Sequence, residues 1–179
     1  MSAKAYAKQS LGMARMMTEG MIESLKSEDD WFYQAHPKAN HPLWIIGHLG
    51  LADNAFAAKF RPEGDHKPDG WDELFWFGSE ISSDRSKYPA PETVLAYFRE
   101  RRENLLDVLD QASEEELSAA APPADERSPI AGAPDVSQLF VFAAYHEGVH
   151  SGQLSVAHRG LGNPPMYQPQ SVPAGTDGA

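Results

Sequence analysis

One stretch decides the fold of this chain: YHEGVHSGQ, residues 145–153. Its histidines, His146 and His150, are four residues apart, a spacing that stacks two side chains on one face of an α-helix. The same face continues in both directions at helical spacing, through Leu139, Ala143, His146, His150, Gln153 and Ala157. We therefore predict a helix from Asp135 or Ser137 to the glycine-rich residues 160–162, with this face turned towards the core.

A third histidine lies on the inward face of another predicted helix. Pro42 suits the first turn of that helix, with Asn40 or His41 as its cap, and the pattern continues to about Phe60. His48 follows Trp44 by four residues, so the two share a face. The buried face of this helix therefore carries an imidazole that needs a partner.

The three histidines form a candidate metal site. Buried imidazoles leave polar nitrogens to satisfy, and imidazole is a common ligand for zinc, nickel, iron and copper. We predict that His48, His146 and His150 hold one divalent metal ion. The alternative is a set of hydrogen-bonded core histidines. The other four histidines, which do not share a helix face of this kind, are not predicted ligands: His36, His41, His66 and His158.

Two further segments complete an all-α prediction. Helical periodicity marks residues 3–26 and residues 91–111. A long connection, residues 61–90, separates the second and third helices, and its aromatic centre, WDELFWF at residues 71–77, predicts a short helix or ordered lid. A second long connection covers residues 113–134, where the acidic run 114–116 is typical of a helix start. The pattern predicts a four-helix bundle with long connections between helices 2–3 and 3–4.

Composition excludes several classes of function. The chain has 179 residues, no cysteine and a net charge of −11, so a nucleic-acid partner is disfavoured and thiol nucleophiles are absent. No stretch approaches the roughly 20 apolar residues that cross a bilayer, and the N-terminus lacks the apolar core of a secretory signal. We expect a cytoplasmic protein without nucleic-acid or membrane partners. Residues 168–179 are predicted to be a flexible tail after a domain spanning residues 1–167.

His146 to His150 also match HExxH, the signature of zinc proteases. A protease of this class needs a third ligand downstream. After His150 the chain has no glutamate, and its only histidine is His158, which follows by eight residues rather than six. No strand is predicted that would bind an extended peptide. The zinc protease is therefore the weaker interpretation of these residues.

A histidine in the second helix followed by HxxxHxGQ in the fourth resembles the DinB/YfiT-like superfamily of four-helix bundles. The resemblance spans the chain from the first helix to about Pro165. It implies a metal held by His48, His146 and His150, and dimers are common among such proteins. Relatives of known activity include bacillithiol S-transferases and mycothiol-dependent maleylpyruvate isomerase, while many members have none assigned.

Three functions stay open on these residues. The first is a metal-dependent enzyme that transfers a low-molecular-weight thiol to an electrophile or hydrolyses a small molecule; zinc, nickel or manganese would serve. The second is a non-catalytic metal-binding or ligand-binding module, such as a stress-response partner. The third is a purely structural bundle. For the enzyme, Glu147 is the candidate catalytic residue, as a base or as a hydrogen-bond acceptor behind the metal ligands.

Overall fold

A computed structural model describes residues 2–121 and 133–166. These residues form seven α-helices and two short 3-10 helices, at Pro62–Gly64 and Arg85–Lys87. The α-helices are α1 (Ala3–Ile22), α2 (Glu28–Trp31), α3 (Pro42–Ala58), α4 (Trp71–Phe75), α5 (Pro91–Gln111), α6 (Glu114–Ser118) and α7 (Ser137–Gly160). The described residues contain no strand, so the all-α prediction is confirmed.

The four long helices, α1, α3, α5 and α7, coincide with the four predicted ones. The first ends at Ile22, four residues earlier than predicted. The aromatic segment forms α4 as predicted, and the acidic run begins α6, where Ser113 and Glu116 form a capping box. The short helix α2 was not predicted, although Ser27 and Asp30 cap it in the same way.

The directions of the long helices explain the long connection between α3 and α5. Arg15 of α1 contacts Glu147 of α7, and Thr18 contacts Ser151. Because the residue numbers increase together on both helices, α1 and α7 are parallel. The same holds for α3 and α5: Gly50 with Phe98 and Asp53 with Arg102. Because α3 and α5 are consecutive and parallel, the chain between them must return along about 25 Å of helix, at about 1.5 Å per residue. Residues 59–90 make that return and carry α4.

Two apolar clusters fill the interior. One lies among α1, α3, α5 and α7 and includes Leu11, Leu105 and Phe140, all at most 1 % exposed. The other surrounds the N-terminal half of α3 and includes Phe75 from α4 and Phe98 from α5, both fully buried. The second cluster therefore attaches the return connection to the bundle at the end where α3 begins.

Four buried charges cross-link the four long helices. We call Arg15, Asp53, Arg102 and Glu147 the charge cluster. Arg102 donates two hydrogen bonds to Asp53, at 2.8 and 2.9 Å, and its Nη2 lies 2.6 Å from Glu147 Oε2. Arg15 donates to Glu147 Oε1 at 2.9 Å and to Asp53 Oδ2 at 3.0 Å. The two positive and two negative charges thus compensate each other in the interior, one from each long helix.

No helix of the described residues is long and apolar enough to cross a membrane. The predicted tail, residues 168–179, lies outside the described residues, as does most of the connection after α6.

We predict that Arg102→Met destabilises the fold far more than loss of a surface ion pair. The substitution leaves two buried carboxylates facing Arg15 alone, so the free energy of unfolding should fall by about 3–5 kcal/mol. Lys8→Met is the matched control, because Lys8 pairs with Asp110 on the surface with 43 % of its side chain exposed, and it should cost about 1 kcal/mol or less. Urea denaturation followed by circular dichroism measures both; equal losses would contradict the role assigned to the charge cluster.

Candidate metal centre

The start of α3 places His48. His41 caps the helix, since its Nδ1 accepts the backbone N–H of Trp44 at 3.0 Å, and Pro42 occupies the first turn. The Trp44 ring then stacks on the His48 ring, with centroids 4.8 Å apart and planes 10° from parallel. Trp44 itself is held by its indole N–H, which donates to Ser79 Oγ at 2.8 Å. His48 is therefore fixed on one side by a stacked and anchored indole.

Gly47 allows α4 to fix the other side of His48. A Cβ atom at Gly47 would lie 2.5 Å from the Phe75 ring, so only glycine permits this approach. The approach brings the Phe75 carbonyl oxygen to 2.9 Å from His48 Nδ1. A carbonyl oxygen can only accept, so Nδ1 carries the proton and Nε2 keeps its lone pair. His48 is thus held in the tautomer that presents Nε2 to a metal.

The three predicted histidines come together between α3 and α7. His48 Nε2 and His146 Nε2 lie 3.2 Å apart. The centroid of the His150 ring is 4.6 Å from that of each of the other two rings. One ring nitrogen from each residue falls within 4.8 Å of the others, and no Asp or Glu of the described residues belongs to this group. The prediction of a histidine cluster at these positions agrees with the geometry.

Gln153 orients His150 in the way that Phe75 orients His48. Its Oε1 accepts from His150 Nδ1 at 3.0 Å and from Asn40 Nδ2 at 3.2 Å. A side-chain oxygen that already accepts from an amide requires the proton on His150 Nδ1, which leaves Nε2 as the ligand atom. Gln153 thus connects α7 to the residue before the His41 cap. Gln153 belongs to the HxxxHxGQ motif, whereas no sequence pattern predicts that Asn40 and Phe75 support the histidines.

Burial keeps the histidines neutral. Burial first, and the neighbouring His150 second, lower the pKa of His48 to about 4 and that of His146 to about 3. Burial also lowers the pKa of His150. At neutral pH the three imidazoles are therefore uncharged, which is the form that binds metal ions.

Glu147 lies apart from this group. Its side chain is fully buried and both carboxylate oxygens contact arginines of the charge cluster. It is neither exposed to solvent nor turned towards the histidines, so these contacts give no support to a role as base or as acceptor behind the metal ligands. They also disfavour the HExxH protease, whose glutamate must face the metal site.

The aromatic residues near the site divide between packing and lining. Trp44 and Trp71 are buried, whereas Trp76 is 39 % exposed and its ring centroid lies 6.1 Å from that of His48. Phe142 stacks on His146 from the other side, at 6.1 Å. Trp76 and Phe142 thus lie beside the histidine cluster, one next to His48 and the other next to His146. Gly152 has open space where a Cβ would be.

The four remaining histidines lie outside the cluster. His41 caps α3, and His158 is buried between Ser24 and the Pro164 carbonyl oxygen, with 2.8 Å contacts to each. His36 and His66 are exposed in connections.

The donor set fits a divalent metal ion. Three neutral imidazoles with two tautomers fixed by hydrogen bonds match the protein half of a catalytic zinc-type site, which has three protein ligands and one open position. His146 and His150 are each partly exposed, so solvent reaches the histidine cluster. A mononuclear ion here would bind a small molecule directly.

Comparison with known proteins identifies the family. No curated protein matches the chain. The family model described as DinB superfamily matches residues 10–154, which include all of α3 and α5, most of α1 and α7, and all three clustered histidines. Because this match covers well over half of the chain, the protein belongs to the DinB superfamily, a superfamily of metal-binding helical proteins.

Proposed function

We propose that this protein is a metal-dependent enzyme that transfers a low-molecular-weight thiol to a small electrophilic substrate. The observation that carries the proposal is the cluster of three neutral imidazoles without a carboxylate among the described residues. A closed set of four protein ligands would favour a structural metal; three favour an ion that also binds a reactant.

Thiol transfer fits the surroundings of the site better than hydrolysis does. A divalent ion lowers the pKa of a water or thiol bound beside it and so provides a nucleophile near neutral pH. A thiol has a pKa of about 8.5 and needs only a small shift, whereas the pKa of water is far higher, so that a bound water gains most from a nearby base. Glu147, the candidate base, is engaged by Arg15 and Arg102. Hydrolysis of a small ester is the second candidate and is tested alongside.

The protein residues hold and orient the reactants in this proposal. His48, His146 and His150 hold the metal, and Phe75 and Gln153 keep their ligand atoms pointed at it. Trp44 stacks on the His48 ring, and Trp76 lies beside it. Nitrogen donors suit zinc and nickel, while manganese prefers oxygen ligands, so zinc or nickel is the proposed ion. The absence of cysteine supports a cytoplasmic location.

We also propose that the protein is a homodimer. α7 exposes apolar side chains on its outward face at helical spacing, and its neighbour α1 exposes others: Val141, Tyr145, Val149 and Val156 on α7, with Tyr6, Met13 and Met16 on α1. We call this the apolar stripe. Gly148 and Gly152 lie within it and have open space above them, which allows a helix of a second copy to approach closely. Exposed apolar patches of this kind mark protein interfaces.

The metal proposal predicts one zinc or nickel ion per chain. His48→Ala and His150→Ala should each lose the ion, because either change leaves two ligands, and both should lose transfer of glutathione to chlorodinitrobenzene. Mass spectrometry of the untagged protein measures metal content, and absorbance measures the reaction. His66→Ala, which removes an exposed histidine, is the control and should keep both.

A protein that binds no metal after reconstitution with zinc, nickel and manganese would reduce the histidines to core packing. Metal binding with ester hydrolysis but without thiol transfer would replace the first reaction with the second.

Glu147→Gln should keep the metal and lose stability. The change removes one charge from the charge cluster, so we expect about 3 kcal/mol less free energy of unfolding with unchanged metal content. Glu103→Gln is the control, since Glu103 is exposed on α5, and it should change neither. Full stability with retained metal and abolished turnover would instead establish Glu147 as a base.

The dimer proposal predicts that Tyr145→Arg produces monomers. A guanidinium in the centre of the apolar stripe would be buried without a partner in the dimer. Analytical ultracentrifugation should show a dimer for the unmodified chain and for Phe77→Arg, which changes an aromatic residue that is 88 % exposed outside the stripe. A monomeric unmodified chain would contradict the proposal.

A further inference from the structure

A small cleft opens next to the candidate metal centre. It has a volume of about 290 Å³ and lies between the segment before α3 and the C-terminal half of α7. Ala39, Val156 and Ala157 supply apolar lining, and Lys38, Asn40 and Gln153 supply polar groups. We propose that this cleft binds the carboxylate end of the substrate while its reacting end lies at the histidines. The inference rests on the proposed function and adds a substrate class to it.

Gln153 belongs to both the cleft and the metal centre. Its Oε1 accepts from His150 and from Asn40, so that oxygen is fully used, whereas its NH₂ group donates to no described residue and is free for a ligand. Along α7, Gln153 lies three residues beyond His150, which is about 4.5 Å of helix at about 1.5 Å per residue. A molecule only a few bonds long can therefore reach from the histidines into the cleft.

Lys38 gives the cleft its charge preference. It is the one charged residue that lines the cleft, in a chain whose net charge is −11. Its ammonium group pairs with no carboxylate of residues 2–121 and 133–166, unlike that of Lys8, which pairs with Asp110. An unpaired ammonium beside free amide donors suits an anionic oxygen ligand.

The segment that carries Lys38 is ordered by its own hydrogen bonds. Gln34 donates its side-chain N–H to the Ala39 carbonyl oxygen at 2.7 Å. The Ala39 backbone N–H donates to the His36 carbonyl oxygen at 2.8 Å. Asn40 then ties the end of the segment to α7 through Gln153. The wall of the cleft is thus held in place before a ligand arrives.

A carboxylate fits this set of groups better than a phosphate does. Phosphate sites in proteins use arginine forks or several backbone N–H groups at once, and the cleft offers one lysine and side-chain amides. A single negative charge matches a single ammonium, and the apolar lining accommodates a short hydrocarbon arm. The substrate class is therefore a small thiol or electrophile that carries a carboxylate two or three carbons from its reacting atom.

The test uses the full-length, zinc-loaded protein with mercaptopropionate and its neutral analogue mercaptopropanol as probes. Calorimetry measures both affinities, and NMR follows the side-chain NH₂ signals of Asn40 and Gln153. We expect about fivefold tighter binding of the acid, the size of a partly exposed ion pair, with shifts of both amide signals. Lys38→Glu should abolish this preference. Lys59→Glu, which makes the same charge change at an exposed lysine at the far end of α3, should keep it.

Equal affinities for the two probes in the unmodified protein, or amide signals that do not move, would overturn the cleft assignment. The same preference in Lys38→Glu would overturn the role of Lys38. If the protein binds no metal, the titration is repeated with propionate on the metal-free chain. Shifts of the amide NH₂ signals that disappear in Lys38→Glu then support the cleft, and only the metal proposal fails. If no signal shifts, both the cleft and the metal proposal fail.

Discussion

The charge cluster is the constraint on which the rest of the structure depends. Each of the four long helices contributes one member, and the contacts of 2.6–3.0 Å between guanidinium and carboxylate groups tolerate little sliding of one helix along another. Apolar side chains alone set helix register loosely, because many registers bury similar area. Paired charges in a dry interior have few satisfactory arrangements, since any slip leaves one of them unpaired.

The charge cluster and the histidines are linked through the helices that carry both. Asp53 follows His48 by five residues on α3, and Glu147 adjoins His146 on α7. Holding Asp53 and Glu147 to the same Arg102 therefore fixes α3 against α7 within about two turns of the place where the imidazoles must meet. A buried carboxylate next to a ligand thus positions the ligand's helix, a role that differs from proton transfer and needs no access to substrate.

Local sequence pattern predicted the long helices and the histidine positions, whereas other features depend on contacts between residues far apart in sequence. His146 and His150 were predictable because four-residue spacing alone places them on one helix face. The direction in which the Glu147 side chain points was not predictable, because that position on the helix is equally consistent with a side chain at the metal site and with one against α1. Its partners, Arg15 and Arg102, are 132 and 45 residues distant in sequence and look like surface charges. The hydrogen bond that supports His48 comes from a backbone carbonyl oxygen on α4, so no side chain in the sequence predicts it. Gly47 is the one residue that hints at the close approach of α4.

The architecture separates the candidate metal centre from the proposed substrate cleft. The three clustered histidines lie on long helices whose register the charge cluster sets, whereas Trp76 and the cleft residue Lys38 lie on connections between them. Connections accept substitution with little cost to the bundle, so one histidine cluster can be combined with different clefts when these segments change. In this chain the connection before α3 presents an ammonium group, although the protein as a whole is acidic. Negative charge elsewhere repels anionic small molecules, and the ammonium group of Lys38 makes the cleft the favourable place for them.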